Sequence, residues 1–205
     1  SVSAFLLNRS SDLDLKIKKI FSPIPMPKNA AKRIYYPVND NEKMIIDIEK
    51  DKEQPIALCH IYQKREATPD SEKNTEKYLR DDYIDRLIGT MLNDRLVEVR
   101  QQPVPPFQSA TARATQFFLS RTKDAFSMSI SCKKDNILGG IISAVGVAER
   151  ARQHGFTQSE LDRAKKLQLN AAERRANMKD DYRNSHYVNV CVDNFLEGEP
   201  LLSVD

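Results

Sequence analysis

The chain has 205 residues, 40% of them hydrophobic and 30% charged, with a formal net charge of +3. A polypeptide of this size and balance builds its own core without a disulfide or metal staple, and so small a positive excess gives no ground for a nucleic-acid or acidic-membrane partner. No apolar run approaches the roughly 18 residues of a membrane span, and the first residues lack the basic start and long apolar stretch of a signal peptide.

The cysteines, Cys59, Cys132 and Cys191, are far apart and odd in number. That excludes the dense pairing of a disulfide scaffold, and their apolar neighbours predict small buried hydrophobes.

In chain order, Val2 to Leu7 is a short apolar run expected as a strand. Asp12 or Asp14 is placed to cap a helix that carries Leu13, Ile17, Ile20 and Phe21 at helical spacing. Pro23 stops it, and with Pro25 and Pro27 makes 22–32 a proline-rich connector. Lys43 to Glu49 and Ile56 to Tyr62 read as isoleucine-rich strands, with the charged stretch Asp47 to Glu53 as a hairpin end. Lys64 to Asn74 is polar and reads as a solvated loop.

Thr75 to Gln102 carries the longest helical pattern, with Ile84, Leu87, Ile88, Met91, Leu92, Leu96 and Val99 forming one apolar stripe that ends before Pro103. A strand pair follows. In Ala125 to Cys132 the apolar Phe126, Met128, Ile130 and Cys132 alternate with Ser127, Ser129 and Ser131. In Ser109 to Leu119, Ala110, Ala112 and Ala114 alternate with Thr111, Arg113 and Thr115, and Ser120 to Asp124 is short enough for a hairpin link. Alternation with period two predicts an antiparallel sheet, one face packed and one wet.

Asn136 to His154 is apolar enough to predict a buried helix stopped by Gly155. Thr157-Gln-Ser-Glu160 is a capping box that opens a helix reaching about Asp181. A last helix, Ser185 to Leu196, ends at Gly198 and Pro200. The predicted fold class is α+β: an antiparallel sheet with helices packed on one face, in one domain spanning 1–205.

Chemistry is hard to find in these elements. Cys59 and His60 are adjacent in a strand and point to opposite faces. His154 sits at a helix end where a cation suits the dipole, and His186 and Cys191 fall on mismatched helix faces. No H-x-x-E-H, H-E-x-x-H, C-x-x-C or G-x-S-x-G pattern occurs. Gly139-Gly140 lies inside an apolar helix rather than in a phosphate-cradling loop. The basic residues from Arg163 to Lys179 alternate with acids, as on a solvated helix face. No catalytic or metal-binding set is assigned to this chain.

Three segments, taken in order, resemble one family. The first is Asp12-Leu-Asp-Leu-Lys-Ile-Lys-Lys-Ile-Phe21 with the connector and Arg33-Ile-Tyr-Tyr-Pro-Val38. The second is Met91-Leu-Asn-Asp-Arg-Leu96 with Gln101-Gln-Pro-Val-Pro-Pro-Phe107. The third is Ala148-Glu-Arg-Ala-Arg-Gln-His-Gly-Phe-Thr157, Glu160-Leu-Asp-Arg-Ala-Lys165 and Phe195-Leu-Glu-Gly-Glu-Pro200. Together they resemble the bacterial zinc peptidases of the insulinase (pitrilysin) family, whose homologous α+β domains, of the mitochondrial processing peptidase type, enclose a chamber.

The resemblance implies the non-catalytic domain that follows the H-x-x-E-H domain. It implies no cofactor in this chain, with zinc in the upstream domain of a longer parent. Its partners would be neighbouring homologous domains and a peptide substrate, and a periplasmic or envelope location fits the exported members of the family. The chain end at Leu202 to Asp205 reads as a cut from that longer polypeptide.

The implied function is to form structure and chamber wall in a zinc metalloendopeptidase. The alternative is a structural or assembly subunit of the same family that has lost peptidase activity. The wet sheet face, with Thr111, Arg113, Thr115, Ser127, Ser129 and Ser131, is the chamber-lining candidate, although plain solvent exposure accounts equally well for its polarity. The family also uses an arginine and a tyrosine seven residues apart to clamp substrate. Arg100 and Phe107 have that spacing, but the match needs a one-residue shift beside Arg95, and Phe107 has no hydroxyl to donate. The preferred reading is a domain that does not use the pair.

Overall fold

In the computed structural model the described residues are 2–25, 28–29, 31 and 34–201, with 2–11 and 180 described by their backbone alone. They fall into two units, one ending at Ile34 and one beginning at Tyr35. The first unit holds one long helix, α1 (Val2–Phe21). The strand expected over Val2 to Leu7 is therefore the opening of this helix. A six-residue apolar run has no period that separates strand from helix, and no proline or glycine interrupts the chain before Pro23. Asp12 and Asp14, expected as caps, lie inside the helix and pair with Lys16 and Lys18 one turn on, at 2.7 and 2.9 Å. Parts of the expected connector (26, 27, 30 and 32), together with Arg33 and 202–205, lie outside the described residues.

The second unit carries a three-stranded antiparallel sheet in the order β1 (Ala57–Glu66), β3 (Lys123–Cys132), β2 (Ser109–Gln116). β3 is central because its alternating pattern offers an apolar row to one face and small serines to the other. Ile130 pairs with Cys59 and Ala110, and Met128 pairs with Ile61 and Ala112. The loop expected from Lys64 is shorter than the sequence suggests, because Lys64, Arg65 and Glu66 continue the ladder opposite Ala125, Asp124 and Lys123. Lys43 to Glu49 is not a strand. β1 takes β3 as its partner, so the expected hairpin does not form, and Met44, Ile45, Ile46 and Ile48 stay exposed.

The helices α2 (Glu76–Arg100) and α3 (Ile137–His154) cover the apolar face of the sheet. Leu92 and Leu96 of α2 and Ala144 and Val147 of α3 meet Ala110, Ala112, Met128, Ile130 and Cys132 in one core. Phe107, in the proline-rich link between α2 and β2, is wholly buried there. α3 is less buried than its composition predicts. Only Gly140, Ala144 and Val147 are buried, while Leu138 and Ile142 are exposed. The helix touches the sheet along one side, and no described element of this unit covers the other. A Cβ on Gly140 would stand 2.7 Å from Cys132 Sγ and 2.9 Å from the Pro106 carbonyl, so Gly139-Gly140 marks close packing at the second glycine.

The next helix, α4 (Gln158–Asn177), packs on α2 through Ala164 against Leu87 and Met91. It begins at the predicted capping box, in which the Thr157 hydroxyl accepts from the Glu160 amide and the Glu160 carboxylate accepts from the Thr157 amide. It ends at Asn177, four residues earlier than expected, and a single 3-10 turn at Lys179–Asp181 follows. The last helix, α5 (Asn184–Glu197), has no buried residue, and its Cys191 is exposed rather than buried.

One side chain ties the middle of this unit together. Arg95 of α2 reaches Glu160 through two parallel bonds of 2.6 and 2.9 Å, donates to the Gly155 carbonyl at 3.0 Å, and stacks 4.6 Å from the centre of the Phe156 ring. Gly155 has φ of +69°, a backbone that a Cβ disfavours, and this turn brings its carbonyl to Arg95. The Arg95 guanidinium, with help from the Thr157 amide, pulls the Glu160 carboxyl down to about 2.

Replacing Arg95 with alanine should cost about 2 kcal/mol in urea unfolding, because it strips the half-buried Glu160 of its charged partner. Thr157→Ala, which removes only a cap, should cost about 1 kcal/mol. The lowered Glu160 value also sets a pH window. Its stabilisation is complete above the ordinary carboxylate range and is lost as pH falls from about 4.3 towards about 2. Glu160→Gln should flatten that part of a stability-against-pH curve, as followed by circular dichroism.

Candidate functional site: the open sheet face and the cleft beside it

The face of the sheet turned away from α2 and α3 is organised in cross-strand rows. Leu58 pairs with Ser131 and Ser131 with Ser109; His60 pairs with Ser129 and Ser129 with Thr111; Tyr62 pairs with Ser127 and Ser127 with Arg113. The last row ends in Lys64, Ala125 and Thr115. Thr111, Arg113 and Thr115 are exposed, as expected of a wet face.

The serines differ. Ser127 and Ser131 are buried and Ser129 is half-buried, because small side chains on the central strand are overhung by larger ones on both neighbours. Each serine is also engaged locally. Ser127 donates to the Arg113 carbonyl at 3.3 Å, Ser131 donates to Gln108 at 3.1 Å, and Ser129 Oγ lies 3.0 Å from His60 Nδ1. The polar row is therefore the floor of this face, and the flanking strands supply what projects from it.

What projects is aromatic and cationic. Tyr62 stands at the centre of a ring cluster, 6.3 Å from His60, 5.7 Å from Phe117 and 4.8 Å from Phe118. Phe118 has φ of +51°, a left-handed backbone that is costly for an aromatic residue, and it turns its ring onto Tyr62. Lys64 lies 6.0 Å over the Phe117 ring and donates to the Asn39 carbonyl. Lys123, only 6% exposed at its side chain, binds both Asp40 and Glu66. Tyr62, Phe117 and Phe118 are absent from the residues singled out in the sequence, and His60 figures there only as a metal-ligand candidate. The period-two run Leu58, His60, Tyr62, Lys64 is legible there, but the register that sets it beside Ser127 and Arg113 is not.

Beside this face lies a cleft of about 900 Å³, bordered by Arg113 and Thr115, the first half of α2, and the end of α5. Many of its charges pair with one another. Arg65 meets Asp85 at 2.6 Å, Lys73 lies 3.3 Å from both Asp70 and Glu199, and Arg121 pairs with Glu197. Tyr78 donates to Glu199 at 2.9 Å, and burial together with that bond pushes its hydroxyl well above the usual phenol range. Burial likewise raises the Asp124 carboxyl, against the pull of Arg65 and Lys73.

These bonds form a clasp on the segment after α5. Gly198, at φ +69°, turns the chain, and Asn194 donates to the Glu199 carbonyl at 2.6 Å. The family-like run Phe195 to Pro200 is thus an anchoring device. A Cβ at Gly198 would meet Asp70 at 3.3 Å in addition to the strained φ. Gly198→Ala should cost about 1 kcal/mol and expose α5 to proteolysis before the rest of the unit, as read by limited digestion and mass spectrometry.

The donor chemistry does not suit a zinc ion. Among the described residues no group of three or more His, Cys, Asp or Glu is placed to hold a metal. Burial raises the Cys59 and Cys132 thiols, which keeps them protonated and poor nucleophiles. Arg100 is exposed at the end of α2, whereas Phe107 is fully enclosed, so the pair shares no surface. Among the described residues no helix is long and apolar enough to cross a membrane.

Residues 11–168 match the sequence model of a family described as the peptidase M16 inactive domain. No curated protein sequence matches the chain. Two solved structures share its fold. The periplasmic protease PqqL from Escherichia coli aligns over 95% of this chain and 21% of its own, at a TM-score of 0.82 and 19% identity. The first half of the same protease aligns over 95% of this chain and 41% of its own, at 0.82 and 20%. The chain spans about a fifth of the full-length protease and two fifths of its half.

Proposed function

We propose, from the premise that the chain belongs to the peptidase M16 (insulinase) family as an inactive domain, that it forms structure and chamber wall in a zinc metalloendopeptidase. The family match over residues 11–168 carries this reading. On it, 1–205 is one non-catalytic domain, and the zinc and the general base that activates its water belong to an upstream domain of the longer polypeptide. Its partners are neighbouring homologous domains, and the outward apolar sides of α3 and α5 offer them contact surface. The open sheet face, with Thr111 and Arg113 above a floor of Ser127, Ser129 and Ser131, is turned toward peptide. A periplasmic or envelope location accords with the periplasmic protease that shares its fold.

The test is hydrolysis of quenched fluorescent peptides by the longer polypeptide, with and without a zinc chelator, beside this chain alone. Chelator-sensitive cleavage by the longer protein and none by the chain is the expected result. A folded but inactive longer protein would favour the assembly-subunit reading instead. Turnover by the chain alone would overturn its assignment as non-catalytic.

A further inference from the structure

We infer that the open sheet face holds a subsite for an extended peptide bearing a bulky apolar side chain close to a carboxylate. Tyr62, Phe117 and Phe118 would take the apolar group, and Arg113 the carboxylate. This rests on the open face being turned toward peptide, and adds to that reading what the peptide must carry.

The face leaves aromatic surface uncovered. Phe118 is 64% and Leu119 94% exposed at the tip of the β2–β3 hairpin, and Tyr62 is 40% exposed beside them. The backbone of Phe118, at φ +51°, holds its ring against Tyr62 and Phe117 at the surface rather than in the core. Strain of this kind persists only where the surrounding structure over-determines it, and it clusters at ligand-binding surfaces. The rings form a tilted, edge-to-face wall rather than a closed stack, which leaves ring surface for another apolar group.

Charge then selects the ligand. Tyr62 and Arg113 pair with the same residue, Ser127, from opposite sides, so their backbones stand about 10 Å apart across two strand spacings. Arg113 is exposed and has no acidic partner among the described residues, although it stands at the rim of the cleft. Among the cleft acids, Asp85, Glu197 and Glu199 are held by Arg65, Arg121 and Lys73, and Asp81 and Asp82 by Lys77 and Arg86. The acids at the hairpin end, Asp40 and Glu66, are both held by Lys123. A guanidinium fork without a carboxylate, one row-width from an exposed aromatic wall, complements an acidic and apolar peptide. An acidic side chain and a free C-terminus present the same carboxylate, so both sources are to be tried.

The test is fluorescence anisotropy of labelled hexapeptides with the 205-residue chain. One peptide carries Phe-Asp with an amidated end, one Phe-Asn with an amidated end, and one Phe-Asn with a free C-terminal carboxylate. Either carboxylate-bearing peptide should bind about fivefold tighter than the amidated Phe-Asn peptide, an advantage of the size of an exposed ion pair. Arg113→Gln should erase that advantage, and Arg113→Lys should retain part of it. Phe118→Gly, which relieves the backbone strain, should weaken all three peptides alike.

Equal binding of all three peptides, or a preference that survives Arg113→Gln, would overturn the inference. So would unchanged affinity in Phe118→Gly. No cleavage enters these measurements, so an inactive longer protein would leave the subsite standing, and absent peptide selection would leave the peptidase reading standing.

Discussion

The second unit depends on a five-residue stretch of α2. Leu92 and Leu96 enter the sheet core, Asn93 and Arg95 make polar bonds in two other directions, and Asp94 lies 3.4 Å from Arg163 of α4. Asn93 donates to the Ala112 carbonyl at 2.9 Å and accepts from the Ala112 amide at 2.8 Å, as a neighbouring strand would. Arg95 meanwhile fixes the corner between α3 and α4. A helix presents residues one and two apart at widely different angles, and residues four apart on one face. A short stretch can therefore serve sheet edge, core and helical corner at once, provided each position carries the right residue type. The family-like run Met91 to Leu96 is this hub, and its role is architectural.

The legible parts of the fold are those in which local pattern and tertiary environment agree. The stripe of α2, the alternation of β3, the capping box at Thr157 and the stop at Gly198 each express a local rule that the packing then uses. The misread parts lack such agreement. Val2 to Leu7 has apolar residues but no period, and joins the helix that follows it. Lys43 to Glu49 has strand-forming residues but no partner among the described elements, and a strand needs a neighbour to satisfy its backbone. The burial of α3 is overstated by composition, since hydrophobicity tells that a side chain is costly to expose and not whether anything covers it.

The open face was legible in outline. Alternation alone places Thr111, Arg113, Thr115 and the serines on one side, and they are there. Alternation within one strand is silent about depth, which depends on what the two neighbouring strands carry. Ser127 sinks between Tyr62 and Arg113 for that reason, while Arg113 on the edge strand stays at the surface. The aromatic cluster needs residues 55 or more positions apart in sequence, Tyr62 and Phe117, to meet through register and through the unusual backbone of Phe118.

The bond pair between Asn93 and Ala112 also gives the sheet a direction. At the β2 side the ladder is terminated by a side chain acting as a false strand, with α2 lying along it. At the β1 side no described strand follows, and the backbone of Ala57 to Glu66 is free to continue the ladder outward. One margin of the sheet is thus engaged by a side chain at Ala112, and the other is flanked by no described strand. A strand added to this sheet would find its ladder partners at β1, where either a parallel or an antiparallel neighbour can pair.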